Sequence, residues 1–76
     1  MTSTSIPLTP VTGSSMIAAD GWDAQTQTLA VRFVNGATYE YRGLSPAVYE
    51  AYSSAESKGS YLKKFVEKNV TGVKVS

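Results

Sequence analysis

The sequence predicts a small α+β domain, in which a three-stranded antiparallel meander sheet is followed by two short helices packed on one face. Two stretches of alternating apolar and polar residues flank Asn35-Gly36, the strongest local signal for a β-hairpin. The segment 43–46 (Gly-Leu-Ser-Pro) contains residues that end regular structure, and it separates the predicted hairpin from a stretch in which apolar residues recur at helical spacing. A length of 76 residues corresponds to one domain.

The first strand is predicted over Met16 to Trp22, an apolar-leaning stretch that runs into a turn at Asp23. An aspartate at this place can accept a hydrogen bond from the backbone two residues on and open the turn. Asp20 is expected to serve the same turn, because no third ligand stands nearby to complete a metal or acid–base site.

The second and third strands are predicted over 28–34 and 37–42, and two registers are open to them. A two-residue loop at Asn35-Gly36 would put Tyr39 and Tyr41 opposite the Leu/Val/Phe face, as an exposed platform for stacking. A three-residue loop would gather all the large apolar side chains on one face. We favour the second register, because one covering layer of helices buries only one face of a sheet. Tyr39 and Tyr41 are then core residues.

Two helices are predicted after the sheet. Ser45 is a suitable N-cap and Pro46 suits the first helical position, so the first helix runs from Pro46 to about Ala55. A second helix, capped by Ser60, is predicted from Tyr61 to about Asn69. The residues expected to face the core are Val48, Ala51, Tyr52 and Ala55 in the first helix, and Leu62, Phe65 and Val66 in the second.

The termini are predicted to be less regular. Residues 1–13 contain Pro7 and Pro10 and are predicted as a flexible arm, since proline fixes φ and removes a backbone donor. Residues 14–70 form the domain, and 71–76 a tail or an edge strand. The start lacks the features of a secretory signal, and no apolar stretch is long enough for a membrane span. We therefore expect a complete cytoplasmic product without membrane contact.

Composition excludes a long list of chemistries. The chain has no cysteine and no histidine, which removes disulfide frameworks, zinc motifs and histidine-dependent catalysis. We expect a non-catalytic binding module with no catalytic residue, no metal and no cofactor. The net charge of +1 is the sum of −3 up to Glu56 and +4 after it. The basic end is the electrostatic asymmetry of the chain.

The first functional hypothesis is weak binding of RNA or another single-stranded nucleic acid through the basic second helix. Tyr61, Lys64 and Lys68 fall at i, i+3 and i+7, which would place one stacking ring beside a phosphate-binding row. Lys64 and Lys68 repel each other mildly at i, i+4, a cost that a purely structural face need not carry. The full candidate set is Arg42, Lys58, Tyr61, Lys63, Lys64 and Lys68.

The alternative hypothesis is a protein-interaction module. Trp22 and the apolar arm residues Ile6 and Leu8 could dock on a protein partner, or strand edges could pair into a dimer. A phage or bacterial accessory protein that docks on a host protein would fit this format. We expect a monomer or a weak homodimer.

Several short motifs occur along the chain in a fixed order: Ser15-x-Ile17, Gly21-Trp22-Asp23, Thr28-Leu29-x-Val31-x-Phe33, Gly36, Tyr39-x-Tyr41, Pro46-x-Val48-Tyr49 and Ser57-x-Gly59-x-Tyr61. This series resembles the KTSC domain, a bacterial and phage module named for its occurrence at the C-terminus of some lysyl-tRNA synthetases. The resemblance covers about residues 14–66 and departs from the usual pattern at Trp22 and Lys63. By association, it suggests RNA binding.

Overall fold

A computed structural model describes residues 4–75 as an α+β domain in which one antiparallel sheet carries a helical layer. The second helix, α2, covers 58–69 and contains an α-helical turn at Lys58–Tyr61, a π-helical stretch at Leu62–Val66 and an α-helical end at Glu67–Asn69. The other elements are β1 (Thr9–Pro10), β2 (Ile17–Asp23), β3 (Thr28–Phe33), β4 (Thr38–Arg42), α1 (Pro46–Ser53) and β5 (Gly72–Lys74). No helix within 4–75 is long and apolar enough to cross a membrane.

The sheet has five strands in the order β1-β2-β3-β4-β5, which corrects the predicted three. The three predicted strands form its centre, and each terminal segment adds a short edge strand. Thr9 pairs with Asp20 on one side, so part of the segment expected to be a flexible arm belongs to the sheet. Gly72 pairs with Tyr41 on the other side. Proline is tolerated in β1 because an edge strand needs only some of its donors.

The β3–β4 hairpin confirms the three-residue register. Leu29 pairs with Tyr41 and Val31 with Tyr39, and the Phe33 amide donates to the Ala37 carbonyl oxygen at 2.8 Å. Gly36 has a φ of 95°, the left-handed conformation that this loop requires and that glycine adopts without steric cost.

The helical layer covers the face that this register makes apolar. Tyr49, which was not among the residues expected to face the core, stacks on Trp22 with ring centroids 4.3 Å apart, whereas Ala51, which was among them, is exposed. The apolar face of α1 is thus rotated toward Val48, Tyr49 and Tyr52. The buried core comprises Ile17, Leu29, Val31, Tyr41, Leu44, Tyr52, Leu62 and Val66.

Helix α2 begins earlier than predicted and changes pitch in its middle. The Ser57 hydroxyl caps it by accepting from the Ser60 amide, so Gly59 lies inside the helix rather than before it. In the π-helical stretch the hydrogen bonds close i→i+5 rings, and each residue rotates less than in an α-helix. Leu62 and Val66 therefore stay on the buried side, whereas Phe65 turns outward and is 50% exposed. The predicted core position of Phe65 is wrong.

The N-terminal segment covers the opposite face of the sheet. Ile6 is buried there with 8% exposure, close to Gly21, whose missing side chain leaves room for the backbone of Pro7. The Thr4 hydroxyl donates to Glu40 Oε2 at 2.5 Å. This hydrogen bond is the main cause that lowers the pKa of Glu40, with a further contribution from Arg42. The sheet is thus covered on both faces at its centre.

Candidate nucleic-acid interface

The predicted basic residues do not form one surface. Arg42 lies at the end of β4, where it is directly paired with Thr28 and follows Tyr41. Because neighbouring strand residues point to opposite faces, Arg42 points away from the helices. Its guanidinium binds Glu40 Oε1 at 2.7 Å. Arg42 therefore belongs to the back of the sheet and is separated from α2.

Lys58 belongs to a half-buried polar cluster under the helices. Its ammonium lies 3.3 Å from Asp20 Oδ2, which also accepts from the Tyr52 hydroxyl at 2.8 Å, and 5.4 Å from the centre of the Tyr52 ring. Asp20 thus connects β2 to both helices and does not form the turn that the sequence suggested. Asp23 forms that turn, because its carboxylate accepts a hydrogen bond from the Gln25 amide.

The remaining predicted residues lie together on the outer side of α2. Residues four apart on a helix line up along one side, and three such rows run next to each other. The middle row carries two exposed lysines, and within 4–75 neither forms a salt bridge. The rows are Tyr61 with Phe65, Lys64 with Lys68, and Lys63 with Glu67.

The first row is an aromatic ledge. The rings of Tyr61 and Phe65 lie 4.7 Å apart with an interplanar angle of 33°. Tyr61 is half-buried and Phe65 is half exposed, so the pair presents ring surface next to the lysine row. Sequence reasoning assigned Tyr61 to the site but missed Phe65, because its i+3 spacing from Leu62 is that of a core residue in an α-helix.

The third row borders a groove between α2 and the β3–β4 hairpin. Glu67 Oε2 accepts from the Tyr41 hydroxyl at 3.0 Å and from the Lys63 ammonium at 3.3 Å. The Lys63 ammonium also lies 5.5 Å from the centre of the Phe33 ring. Glu67 was not among the predicted site residues. Its i, i+4 spacing from Lys63 predicts their pairing, whereas nothing local predicts the bond from Tyr41.

The three residues of the protein-interaction hypothesis are used inside the fold. Trp22 stacks on Tyr49, Ile6 is buried against the sheet and Leu8 is half-buried. The larger exposed apolar side chains are instead Val34, Phe65 and Val73. Trp22, Ile6 and Leu8 therefore offer a partner little free surface.

Two buried tyrosines carry the polar links between the layers. Burial raises the pKa of Tyr52, and the hydrogen bond to Asp20 adds to this. Burial also raises the pKa of Tyr41, and Glu67 acts in the same direction. Both hydroxyls therefore stay protonated as donors to a carboxylate. Within the described residues, no three acidic side chains gather closely enough to hold a metal ion.

The architecture defines a class of very small α+β domain: an antiparallel sheet with two helices on one face, an interior strand that carries a Tyr-x-Tyr pair, and a basic last helix. The chain belongs to the KTSC domain family, whose model matches residues 13–69. The crystal structure of a KTSC domain protein from Yersinia pestis is similar, with a TM-score of 0.82 and 27% identity over 95% of this chain and 100% of that one.

Two groups of relatives differ in size. A protein of Tsukamurella paurometabola is 43% identical over 54 residues, which cover 71% of this chain and 81% of that protein. The lysine–tRNA ligase of Nostoc punctiforme is 38% identical over 53 residues, 70% of this chain. The matched part is only 9% of the ligase's length.

Proposed function

We propose that this protein is a non-catalytic module that binds single-stranded RNA weakly, through the outer side of α2. The observation that carries the proposal is the aromatic ledge of Tyr61 and Phe65 beside the exposed lysine row of Lys64 and Lys68, which form no salt bridge with any residue of 4–75. Single-strand binders combine these two features, since bases stack on aromatic rings while cations follow the phosphates.

The energetics of this surface favour a ligand with negative charge. Lys64 and Lys68 are spaced i, i+4 and repel each other by a few tenths of a kcal/mol in the free protein. A phosphate between them removes this repulsion. A base on the ledge contributes about 1–3 kcal/mol, which is the usual gain from stacking on a side chain. Two phosphates and one or two bases give weak binding that is sensitive to salt.

The occurrence of this domain in lysine–tRNA ligases is the reason to propose RNA rather than DNA as the ligand. A domain of this family lies within lysine–tRNA ligases, as the match to the Nostoc punctiforme enzyme illustrates. An RNA-binding role for the domain is consistent with that setting. Since the match covers 9% of the ligase, the activity of the whole enzyme is not part of the proposal.

The test is a titration of a labelled single-stranded RNA at several salt concentrations. Two phosphate contacts predict a slope of log K against log salt of about −1.4, from about −0.7 per phosphate on a single strand. The double variant Lys64→Glu/Lys68→Glu should abolish binding at low salt.

Arg32→Glu is the matched control. Arg32 is exposed on β3 and points away from α2, and the change alters the net charge as much as Lys64→Glu alone. It should leave the affinity nearly unchanged, whereas Lys64→Glu should weaken binding severalfold. Equal effects of the two single variants, or no binding of RNA at low salt, would rule the proposal out. Equal affinity for DNA of the same sequence would remove the preference for RNA.

A further inference from the structure

A groove of about 420 Å³ runs beside the lysine row, between α2 and the β3–β4 hairpin. Phe33 and Tyr39 form part of its wall as a T-shaped pair, with ring centroids 5.6 Å apart. Val34 lies at its border and is 62% exposed. The volume falls in the range of sites that bind small organic groups, about 300–1,000 Å³.

The helical wall of this groove holds one carboxylate in a fixed position. The Tyr41 hydroxyl donates to Glu67 Oε2 at 3.0 Å, and Tyr41 is itself only 1% exposed. Lys63 contacts the same oxygen at 3.3 Å, but its side chain is 51% exposed. Tyr41 therefore anchors the carboxylate, while Lys63 can leave it at small cost because exposed ion pairs contribute little.

We propose that this groove binds a guanine base, with Glu67 accepting from its Watson–Crick edge. The inference rests on the proposed function, since the RNA strand would reach the groove from the neighbouring Lys64–Lys68 row. The base would lie against the aromatic wall formed by Phe33 and Tyr39.

The chemistry of the carboxylate selects this base. An ionised carboxylate only accepts hydrogen bonds and takes two of them side by side. Guanine presents two adjacent donors, N1–H and N2–H, on the edge that single-strand binders read. Adenine and cytosine place an acceptor next to their amino group, and uracil flanks its single imino donor with two carbonyls. The guanine edge replaces Lys63 at Glu67 Oε2, and the freed ammonium turns to the adjacent phosphate.

The test compares U-rich oligonucleotides that carry one central guanosine, inosine or adenosine. Inosine keeps N1–H but lacks the N2 amino group, so it isolates the second hydrogen bond. The native protein should bind the guanosine oligonucleotide roughly 5- to 150-fold more tightly than the adenosine one, the range expected of a bidentate contact to a base. Inosine should fall between them.

The variant Glu67→Gln replaces one acceptor by a donor and should bring the guanosine-to-adenosine ratio to one or below, because the donor and acceptor of the amide match the adenine edge. Its amide oxygen still accepts from Tyr41, and a thermal unfolding curve checks the fold. Glu50→Gln makes the same change of charge on an exposed residue of α1 and should leave the ratio as in the native protein.

The outcomes separate the two proposals. Equal binding of all three oligonucleotides, or a guanosine preference that survives in Glu67→Gln, would overturn the guanine site and leave RNA binding standing. If none of the oligonucleotides binds, both proposals fail. Binding of all three that is lost in Lys64→Glu/Lys68→Glu, with a guanosine preference lost in Glu67→Gln, is the result expected if both are right.

Discussion

At the scale of single residues, Gly21 decides how the N-terminal segment meets the sheet. The segment crosses the back of β2 so closely that a Cβ at this position would collide with the carbonyl oxygen of Pro7. Ile6 packs beside it and buries its side chain. Glycine in the middle of a strand normally destabilises the sheet. At this position, the absence of a side chain leaves the space that the backbone of the N-terminal segment occupies.

Gly21→Ala should therefore lower the free energy of unfolding by about 1–3 kcal/mol, the cost of overpacking a closely packed site. The measurement is urea unfolding of the full chain. The control is the same substitution in a chain that lacks residues 1–8, where the colliding carbonyl is gone and the cost should fall to nearly zero. An equal cost in both backgrounds would contradict the role assigned to Gly21.

Asp20 shows a second residue-scale effect. One carboxylate accepts from Tyr52 of α1 and from Lys58 of α2, so a single β2 side chain ties both helices to the sheet. A hydrogen bond to a charged group contributes about 1.5–3 kcal/mol. The ion pair with Asp20 also holds the Lys58 ammonium away from the outer side of α2 and so reduces the positive charge available to a ligand.

At the scale of elements, the π-helical stretch Leu62–Val66 determines what α2 presents to solvent. It keeps Leu62 and Val66 in the core and turns Phe65 outward beside Tyr61. Short π-helical stretches inside α-helices are frequently found at functional sites. In this helix the change of pitch creates the aromatic ledge.

Leu62→Ala should consequently reduce stability, whereas Phe65→Ala should mainly reduce RNA binding. Leu62 is fully buried, and its truncation should cost about 2–5 kcal/mol of unfolding free energy. Phe65→Ala should change stability by only about 0.5 kcal/mol but weaken RNA binding roughly 5- to 150-fold, equivalent to the loss of about 1–3 kcal/mol of stacking. Thermal unfolding and RNA titration of both variants provide the check. A large loss of stability in Phe65→Ala would contradict the outward position of its ring.

At the scale of the whole molecule, two buried tyrosine hydroxyls link the layers, and both make stability dependent on alkaline pH. Burial raises the pKa of Tyr41 and Tyr52 above the ordinary value of about 10. In the unfolded chain both groups ionise near that ordinary value. Their contribution to stability is therefore fully present below about pH 10 and is lost progressively as the pH rises above it.

We expect the free energy of unfolding to fall steeply above about pH 10, with two of the five tyrosines ionising only as the chain unfolds. Phenolate absorbance and near-ultraviolet circular dichroism, recorded together, measure ionisation and unfolding in one experiment. Tyr52→Phe should show a shallower alkaline loss, because one of the two buried hydroxyls that donate to a carboxylate is removed. Ionisation of all five tyrosines before any loss of tertiary structure would contradict the assignment.

The hairpin register and the helix start at Pro46 could be predicted because each depends on residues close together in the chain. Because strand side chains alternate between the two faces of the sheet, the length of the loop at Asn35-Gly36 leaves few registers for the hairpin. Ser45 caps α1 as its sequence indicates. The tail 71–76 was predicted as a tail or an edge strand, and it contains β5, but the N-terminal edge strand could not be predicted in the same way. A strand of two or three residues, such as Thr9–Pro10, has no periodicity of its own and is stable only by pairing with a sheet that already exists.

The candidate site was predictable in part for the same reason. Lys64 and Lys68 were identified from helical spacing, and the structure leaves both exposed on α2. Phe65 was missed because spacing assumes a regular α-helix. Glu67 was missed because its anchor, Tyr41, lies 26 residues earlier in the chain.

The sequence by itself determined that cysteine and histidine are absent, and its alternating residues determined the apolar face of the hairpin. It also carries the ordered motifs by which the chain resembles the KTSC family. Only the tertiary structure decided which basic side chains pair with a carboxylate far away in the chain and which face is left to the others. Lys58 meets Asp20 across 38 positions, and Arg42 faces away from α2 because of strand alternation. Coulomb pairing depends on distance in space, and the fold alone brings such distant residues within a few ångströms of each other.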